Sequence, residues 1–589
     1  MDRNVVIATV LIMGILLVWM YMIPPPVPAP EPLAQDTLQL QEQIADTQRP
    51  VTPVQVDSTM VGVFEGEERL ITVDTDLYTA RLSTRGATLV NFLLKEYAQF
   101  DQVSPVQLVD TSGAGALGLE FQSPNGRNRD SRTFYFAPSF DGDSLHVTNA
   151  GTELSFEARL SDGTLRLTYE FEPETYEIGL RVTHTNGRSF QTDDGYEIVW
   201  NGALPFSEDP GNRKEEVAKI GAYARTGDEV DGISLAGDEE EGMTLRGNVS
   251  WMAVKNKYFA AVVLSDERAR EAELFGERRG ETDDEDVDVT FRASLFMNPP
   301  TDESDSFRLY LGPLEYYEIK EYDGLYDMID YGWNAFEWMT RPLATFIFIP
   351  AFTLLSSFIA NYGVVIIIFG LLIKLALFPL TKSSYKSMAQ MRELQPQMQA
   401  IKEKYKDDPQ KQQAATMKLY KESGTNPLGS CLPMLLQYPI IIALWQFLQQ
   451  SIEIRQEGFL WANDLSAPDA VLNLPITIPF YGDFVAGFTV LMGLSMIVQM
   501  RIQSTPASGV QAKIFMYVMP AFIFVIFNRL PSGLSLYYLC YNVVTAFQQK
   551  LINKSLEKKK VHEEASTRRR SKKARHVTNK RKGKRSKKR

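Results

Sequence analysis

Between Tyr362 and Leu380 the chain reads YGVVIIIFGLLIKLALFPL, nineteen residues with one ionisable side chain, Lys374. A helix of that length rises about 28 Å, close to the hydrocarbon thickness of a bilayer, so the segment is read as a membrane span. A charge near the centre of such a helix costs roughly 2.5–3.5 kcal/mol to insert, which makes Lys374 a functional-site candidate. The competing reading is a snorkelling side chain. Lys374 stands six residues before Leu380, about 9 Å along the axis, and its long stem can reach the headgroups from there.

Further apolar runs surround this one. Residues 1–23 contain Val5–Ile23, nineteen uncharged residues, and the chain continues into Pro24-Pro25-Pro26 without a small-residue cleavage site, so the run is read as an uncleaved anchor. Spans are expected at 361–380, 427–450, 484–500, 514–527 and 533–552, the last two parted by the turn sequence Asn528-Arg529-Leu530-Pro531-Ser532-Gly533. With the anchor, these make six crossings. Residues 331–360 are also poor in charge. Reading them as a span would place outside the membrane the segment 381–426, which carries nine Lys and Arg, whereas 451–483 carries only Arg455. They are therefore read as an interfacial helix on the outer face, with Trp333 and Trp338 as anchors. Both termini and the loop 501–513 then lie in the cytoplasm.

The charge of −12 conceals two opposite regions. Residues 51–330 hold 54 Asp and Glu against 25 Lys and Arg, a net of −29, while the tail 553–589 ends in fourteen Lys and Arg within Arg568–Arg589. A Pro-rich linker, 24–60, precedes the acidic region. Within 61–330, Leu165, Leu167, Tyr169 and Phe171 alternate with Arg166, Thr168 and Glu170; Ile178, Leu180 and Val182 repeat the pattern, as do Val287, Val289 and Phe291. That period of two, with frequent turn residues, predicts a large antiparallel sandwich. Only Cys431 and Cys540 are present, both in expected spans, so the sandwich contains no disulfide.

Two cytoplasmic features complete the pattern. In 381–426, Met388, Met391, Leu394, Met398, Ile401 and Tyr405 follow helical spacing, and Asp407-Asp408-Pro409 turns the chain back, predicting a helical hairpin. The methionine stripe suits adaptable contact with varied apolar partners, and it equally suits the seam of the hairpin itself. The tail, with Arg568, Arg569, Arg570, Lys572, Lys573, Arg581 and Lys582, lacks an apolar stripe and should seek a polyanion, ribosomal RNA or anionic lipid. None of the four histidines (His146, His184, His562, His576) falls in a span, and no nucleophile elbow, phosphate loop or metal spacing occurs, so neither catalysis nor a cofactor is expected. The competing class is a polytopic secondary transporter or channel, for which internal repeats would be the signature.

Residues 331–557 carry a dense set of motifs in order: Phe378-Pro379-Leu380-Thr381-Lys382, Met388-Ala389-Gln390-Met391-Arg392, Leu394-Gln395-Pro396, Asn426-Pro427-Leu428-Gly429, Pro531-Ser532-Gly533-Leu534 and Leu536-Tyr537-Tyr538. This part resembles the YidC/Oxa/Alb family of membrane protein insertases, in its Gram-negative form with a large periplasmic domain. The resemblance implies a polytopic α-helical membrane protein of six transmembrane helices, five of them an insertase core, plus a periplasmic all-β supersandwich. It implies a hydrophilic groove in the inner leaflet, with Lys374 at the place of the family's positive residue, commonly Arg. Gln437, Tyr537, Tyr538 and Asn542 resemble positions facing that groove, though interhelical bonding or core packing fits each as well. The implied partners are nascent membrane proteins, inner-membrane lipid, the ribosome on the basic tail, the Sec translocon and the signal recognition particle receptor.

Overall fold

The computed structural model describes residues 62–558 apart from 110–114, 149, 161–162, 188–190, 193–194, 283, 299–303, 332–336, 407, 425–431, 479–480, 504–520 and 556–557. The anchor, the linker and the tail residues Arg568 to Lys582 lie outside these. The described residues fall into two compact units, 62–329 and 330–558.

The first unit is a β-sandwich. A five-stranded sheet has the spatial order Pro105–Val109, Thr88–Ala98, Tyr78–Ser83, Leu70–Asp74, Ser144–His146, with only the last pair parallel. The second sheet has thirteen strands, all antiparallel, built around the long hairpin Glu240–Lys255 and Phe259–Arg279. Alternation drives the packing: Leu165, Leu167, Tyr169 and Phe171 on strand Gly163–Phe171 are buried, as are Ile178, Leu180 and Val182 on the neighbouring strand Glu177–Thr185. Tyr169 reaches across to the small sheet, where its hydroxyl donates to the Ala87 carbonyl at 2.6 Å. That bond satisfies the one polar atom of a large buried ring. On the outer faces, opposite charges pair across strands: Arg166 with Glu157, and Arg292 with both Glu120 and Glu197. Acidic excess is thus partly neutralised where strands meet.

Among the described residues of the sandwich, the carboxylates of Asp305 and Glu216 lie inside. Glu216, on the short helix Arg213–Val217, is buried, with Oε1 accepting from the Ser207 N–H at 2.7 Å and Oε2 from Arg213 at 2.8 Å. Burial, helped by nearby Glu208, pushes its pKa from 4.5 up to about 7 despite those donors. The folded state therefore binds a proton more tightly than the unfolded chain does. Its contribution to stability is greatest below pH 4.5 and is lost as pH rises towards 7. Between pH 5 and pH 8, wild type should lose more resistance to urea than Glu216→Gln, and equal losses would contradict the assignment.

The second unit is helical. We label its helices α1 (Glu337–Ser356), α2 (Tyr362–Glu393), α3 (Gln395–Lys404), α4 (Pro409–Glu422), α5 (Leu432–Gln450), α6 (Gly487–Gln503), α7 (521–527) and α8 (532–555). Among the described residues, α1 and Tyr362–Pro379 are long and apolar enough to cross a membrane. A π turn at Ala344–Phe348 divides α1, which carries Pro342 and Pro350. The outward faces of α2, α6 and α8 are apolar, with Leu375, Leu494 and Phe547 exposed.

Three expectations need correction. The helix expected to end at 380 continues through Pro379 to Glu393, 32 residues or about 48 Å long. The Thr381 hydroxyl donates to the Leu377 and Phe378 carbonyls in the turn around the proline, a local adjustment of the kind that lets helices in membranes carry proline. The methionine stripe consequently belongs to two helices, broken at Leu394, and not to one. The return at Asp408 is as expected: its side chain accepts from the Lys411 N–H and Pro409 opens α4. Finally, 451–483 is more than a loop, because Ala470–Ile478 pairs with Gly482–Ala486 as an antiparallel hairpin.

Candidate functional site

Helix α8 organises a polar seam inside the helical unit. Ser535, Asn542, Thr545 and Gln549 recur on one face and are all buried, as spacings of seven, three and four place them along the same stripe. Each of the first three reaches another helix. Ser535 shares a hydrogen bond with Thr489 of α6 at 2.9 Å, Asn542 donates to Ser495 of α6 at 3.0 Å, and the Thr545 hydroxyl accepts from Lys374 of α2. Such contacts hold membrane helices together where apolar surface alone gives no preference for helix over lipid.

Lys374 is only 4% exposed. Its ammonium lies 3.3 Å from the centroid of the Tyr541 ring, and the Thr545 hydroxyl that accepts from it donates in turn to the Tyr541 carbonyl at 2.7 Å. One turn earlier on α2, Gly370 faces the Tyr537 ring, and a Cβ there would come within 3.2 Å of it. Glycine thereby allows the close approach that brings α8 over Lys374. A desolvated cation over an aromatic face is worth about 2 kcal/mol, comparable with the insertion cost of the charge. Residues 370 to 374 and 537 to 541 advance together, as do 489 to 495 and 535 to 542, so α2, α6 and α8 run in the same direction.

Of the residues singled out in the sequence, Lys374, Tyr537 and Asn542 lie in or beside this seam. The Tyr537 hydroxyl is buried with no hydrogen-bond partner among the described residues, while Asn542 is turned to α6 and not to Lys374. Tyr538 packs its ring edge-on against Phe527 of α7, 5.0 Å between centroids, and against Tyr537 at 5.9 Å. Gln437 lies on α5 and Met388 on α2, but their side chains are outside the described residues. Met398 takes a bond from the Tyr420 hydroxyl at 3.2 Å, which places it in the seam between α3 and α4; Met391 is half-buried at the end of α2. Thr545, Ser535 and Gln549 were not foreseen. Their signal was present as the polar stripe within the apolar run 533–552, readable at helical spacing.

At the end of the unit where α6 begins and α7 meets α8, polar groups tie the ends together. The Asn528 side chain, fully buried, accepts from the Ala486 N–H at 2.9 Å and donates to the Tyr481 and Phe484 carbonyls. Asp469 accepts from Trp461 and from the N–H of Phe488 in the first turn of α6, and burial raises its pKa. A carboxylate there suits the positive end of the helix.

A family described as 60Kd inner membrane protein matches residues 354–560, and one described as YidC periplasmic domain matches 70–346. The membrane protein insertase YidC of Chloroherpeton thalassium is 36% identical over 573 residues, covering 95% of this chain and 96% of its own length. The chain belongs to the YidC family of membrane protein insertases. The YidC of Chlorobium luteolum is 39% identical over 581 residues, covering 94% of this chain and 95% of that one. A solved structure of an active YidC insertase with its first transmembrane domain resolved is 20% identical over 83% of this chain and 93% of that one, with a TM-score of 0.33. As a YidC protein the chain is an inner-membrane insertase with a periplasmic β-sandwich domain, acts on nascent membrane proteins, and is not an enzyme. The sandwich described above is then the periplasmic domain, and the Lys374 seam lies in the part matched by the inner-membrane model.

Proposed function

We propose that the Lys374 seam is the place where this insertase receives the hydrophilic leading segment of a client. The observation that carries the reading is a buried ammonium held by a hydroxyl and an aromatic face on a helix whose inner stripe is polar throughout. Moving a polar segment across hydrocarbon is costly, and a polar path part-way across the bilayer shortens the apolar distance. Lys374 attracts acidic residues of the client with a strength that grows as the dielectric falls. The orphaned Tyr537 hydroxyl adds a hydrogen-bonding group on the same wall. The client's apolar helix then passes into lipid, driven by burial worth about 25 cal/mol per Å². No bond is made or broken.

In this reading the chain crosses the membrane six times, with both termini in the cytoplasm, and the segment 331–360 lies on the outer surface. The common direction of α2, α6 and α8 supports it, since four reversals separate α2 from α8 and two separate α2 from α6. The tail residues Arg568, Arg569, Arg570, Lys572, Lys573, Arg581 and Lys582 engage the ribosome, and Met388 and Met391 offer contact to clients or targeting partners such as the signal recognition particle receptor. The protein works alone or beside the Sec translocon.

The test is insertion of a short-tailed single-span client into liposomes holding the full protein. Lys374→Arg should retain most of the activity, because charge persists although the point-like ammonium becomes a planar fork. Lys374→Ala should lose most of it for acidic-tailed clients. Equal activity of all three proteins would confine Lys374 to holding α2 against α8, and stoichiometric solute flux would favour a transporter.

A further inference from the structure

The strand Ala470–Ile478 has no core beneath it, whereas its partner Gly482–Ala486 is tied to the buried Asn528 side chain. This first strand is exposed on both sides, with Leu472 at 59%, Ile476 at 66% and Ile478 at 41% on one side and Val471 at 54% on the other, while Gly482 and Ala486 of the second strand are buried. From Ala470 to Ile478 the sequence AVLNLPITI contains no charge, and Ala470, Leu472, Leu474, Ile476 and Ile478 fall at one parity, opposed by Val471, Asn473, Pro475 and Thr477. Two strands alone are marginal in water, and bare apolar strands with open edges invite aggregation. The base of the hairpin is nevertheless fixed. Gly487, the first residue of α6, is approached so closely by the Trp461 indole and by Val471 that a Cβ would lie 2.7 and 2.8 Å from them. Trp461 also stacks on Phe488, 4.5 Å between centroids.

The apolar strand is therefore pinned to the residue at which α6 begins. We propose that this hairpin is an interfacial finger whose occupant is phospholipid of the outer leaflet, lying in the headgroup region beside α6. The inference rests on the reading of α6 as a span that begins at its outer end. Continuity with α6 places the finger at the membrane boundary, the uncharged first strand can leave water while the exposed Asp483 of the second stays at headgroup level, and an aromatic residue at its base suits the interface. Open strand edges keep it shallow, because unpaired backbone groups have no partner in hydrocarbon. Lipid would then cover the face that the protein leaves bare, and the finger would order headgroups where an outgoing client segment arrives.

The test uses the full chain in liposomes with Cys431 and Cys540 replaced by Ser. An environment-sensitive fluorophore is attached to Leu472→Cys, Ile476→Cys or, as a control in mid-span, Leu494→Cys, whose side chain is 56% exposed. Lipid carrying a quencher near the headgroup should cut emission at 472 and 476 about twofold or more, while a quencher at the chain end or iodide in the water has little effect. Emission at 472 quenched by iodide and by neither lipid, with 494 quenched by lipid, would overturn the proposal and leave the span intact. Shielding from iodide and from both lipids would assign the finger to a protein partner or a second copy and overturn it as well. If 494 is quenched by neither lipid, the span reading falls and the finger with it.

Discussion

Lys374→Glu is expected to slow insertion of an acidic-tailed client at least about tenfold, the largest functional effect of any single substitution in the helical unit. Two unit charges about 5 Å apart interact by roughly 3 kcal/mol at an effective dielectric near 20, and reversing one sign turns that attraction into a comparable repulsion. Tenfold corresponds to about 1.4 kcal/mol, so it is a lower bound that allows for screening and for movement of the client. The carboxylate would also face the Tyr541 ring, whose face repels anions. Loss of fold is distinguished by protease resistance of the helical unit, which should match wild type when Lys374→Ala is taken as the neutral reference. The rate is read from the growth of the protease-protected client fraction. Insertion within about twofold of wild type would remove Lys374 from the mechanism.

Trp251→Ala should have the largest effect on stability, about 3–5 kcal/mol in the sandwich. Trp251 sits on Glu240–Lys255, opposite Leu264 on the long hairpin partner and Arg225 on the other side, and is 1% exposed. Its indole N–H donates to the Asp323 carbonyl at 2.9 Å, tying the end of the domain back to the sheet. Alanine removes the ring and leaves that carbonyl without its donor, whereas Trp251→Phe loses the hydrogen bond and only part of the volume. A urea titration of the full chain, followed by its β-sheet signal, should show the Ala variant shifted severalfold further than the Phe variant. Similar midpoints for both would mean that ring volume contributes little.

Much of this architecture was legible in the residues. Alternation at Leu165, Leu167, Tyr169 and Phe171 announced a half-buried strand because period two leaves those side chains no other common face. The uncharged run around Lys374 announced a span for a similar reason. What escaped was set by distant contacts. Nothing local tells that Tyr169 will bond to Ala87, 82 residues earlier, or that thirteen strands will share one sheet. Pro379 removes a backbone donor, yet a helix carrying Lys374 and Thr381 on its buried side goes through it. Ala470–Ile478 lies in the segment 451–483, expected as a loop, and its pairing with Gly482–Ala486 appears only in the fold. At the site, Lys374 stood out as the one charge in an apolar run and Asn542 came from the family resemblance, but the role of Thr545 appears only when α2 is laid against α8.

The central claim is that the charge at position 374 reads the charge of the client, and a charge exchange tests it most directly. Wild type and Lys374→Glu would each be reconstituted and given two versions of one single-span client, with an acidic or a basic leading segment. The account predicts an inversion: wild type inserts the acidic version faster, and Lys374→Glu inserts the basic version faster, with salt narrowing both differences. If the variant is equally slow with both clients, or if wild type shows no preference, attraction by Lys374 is not what draws the client into the seam.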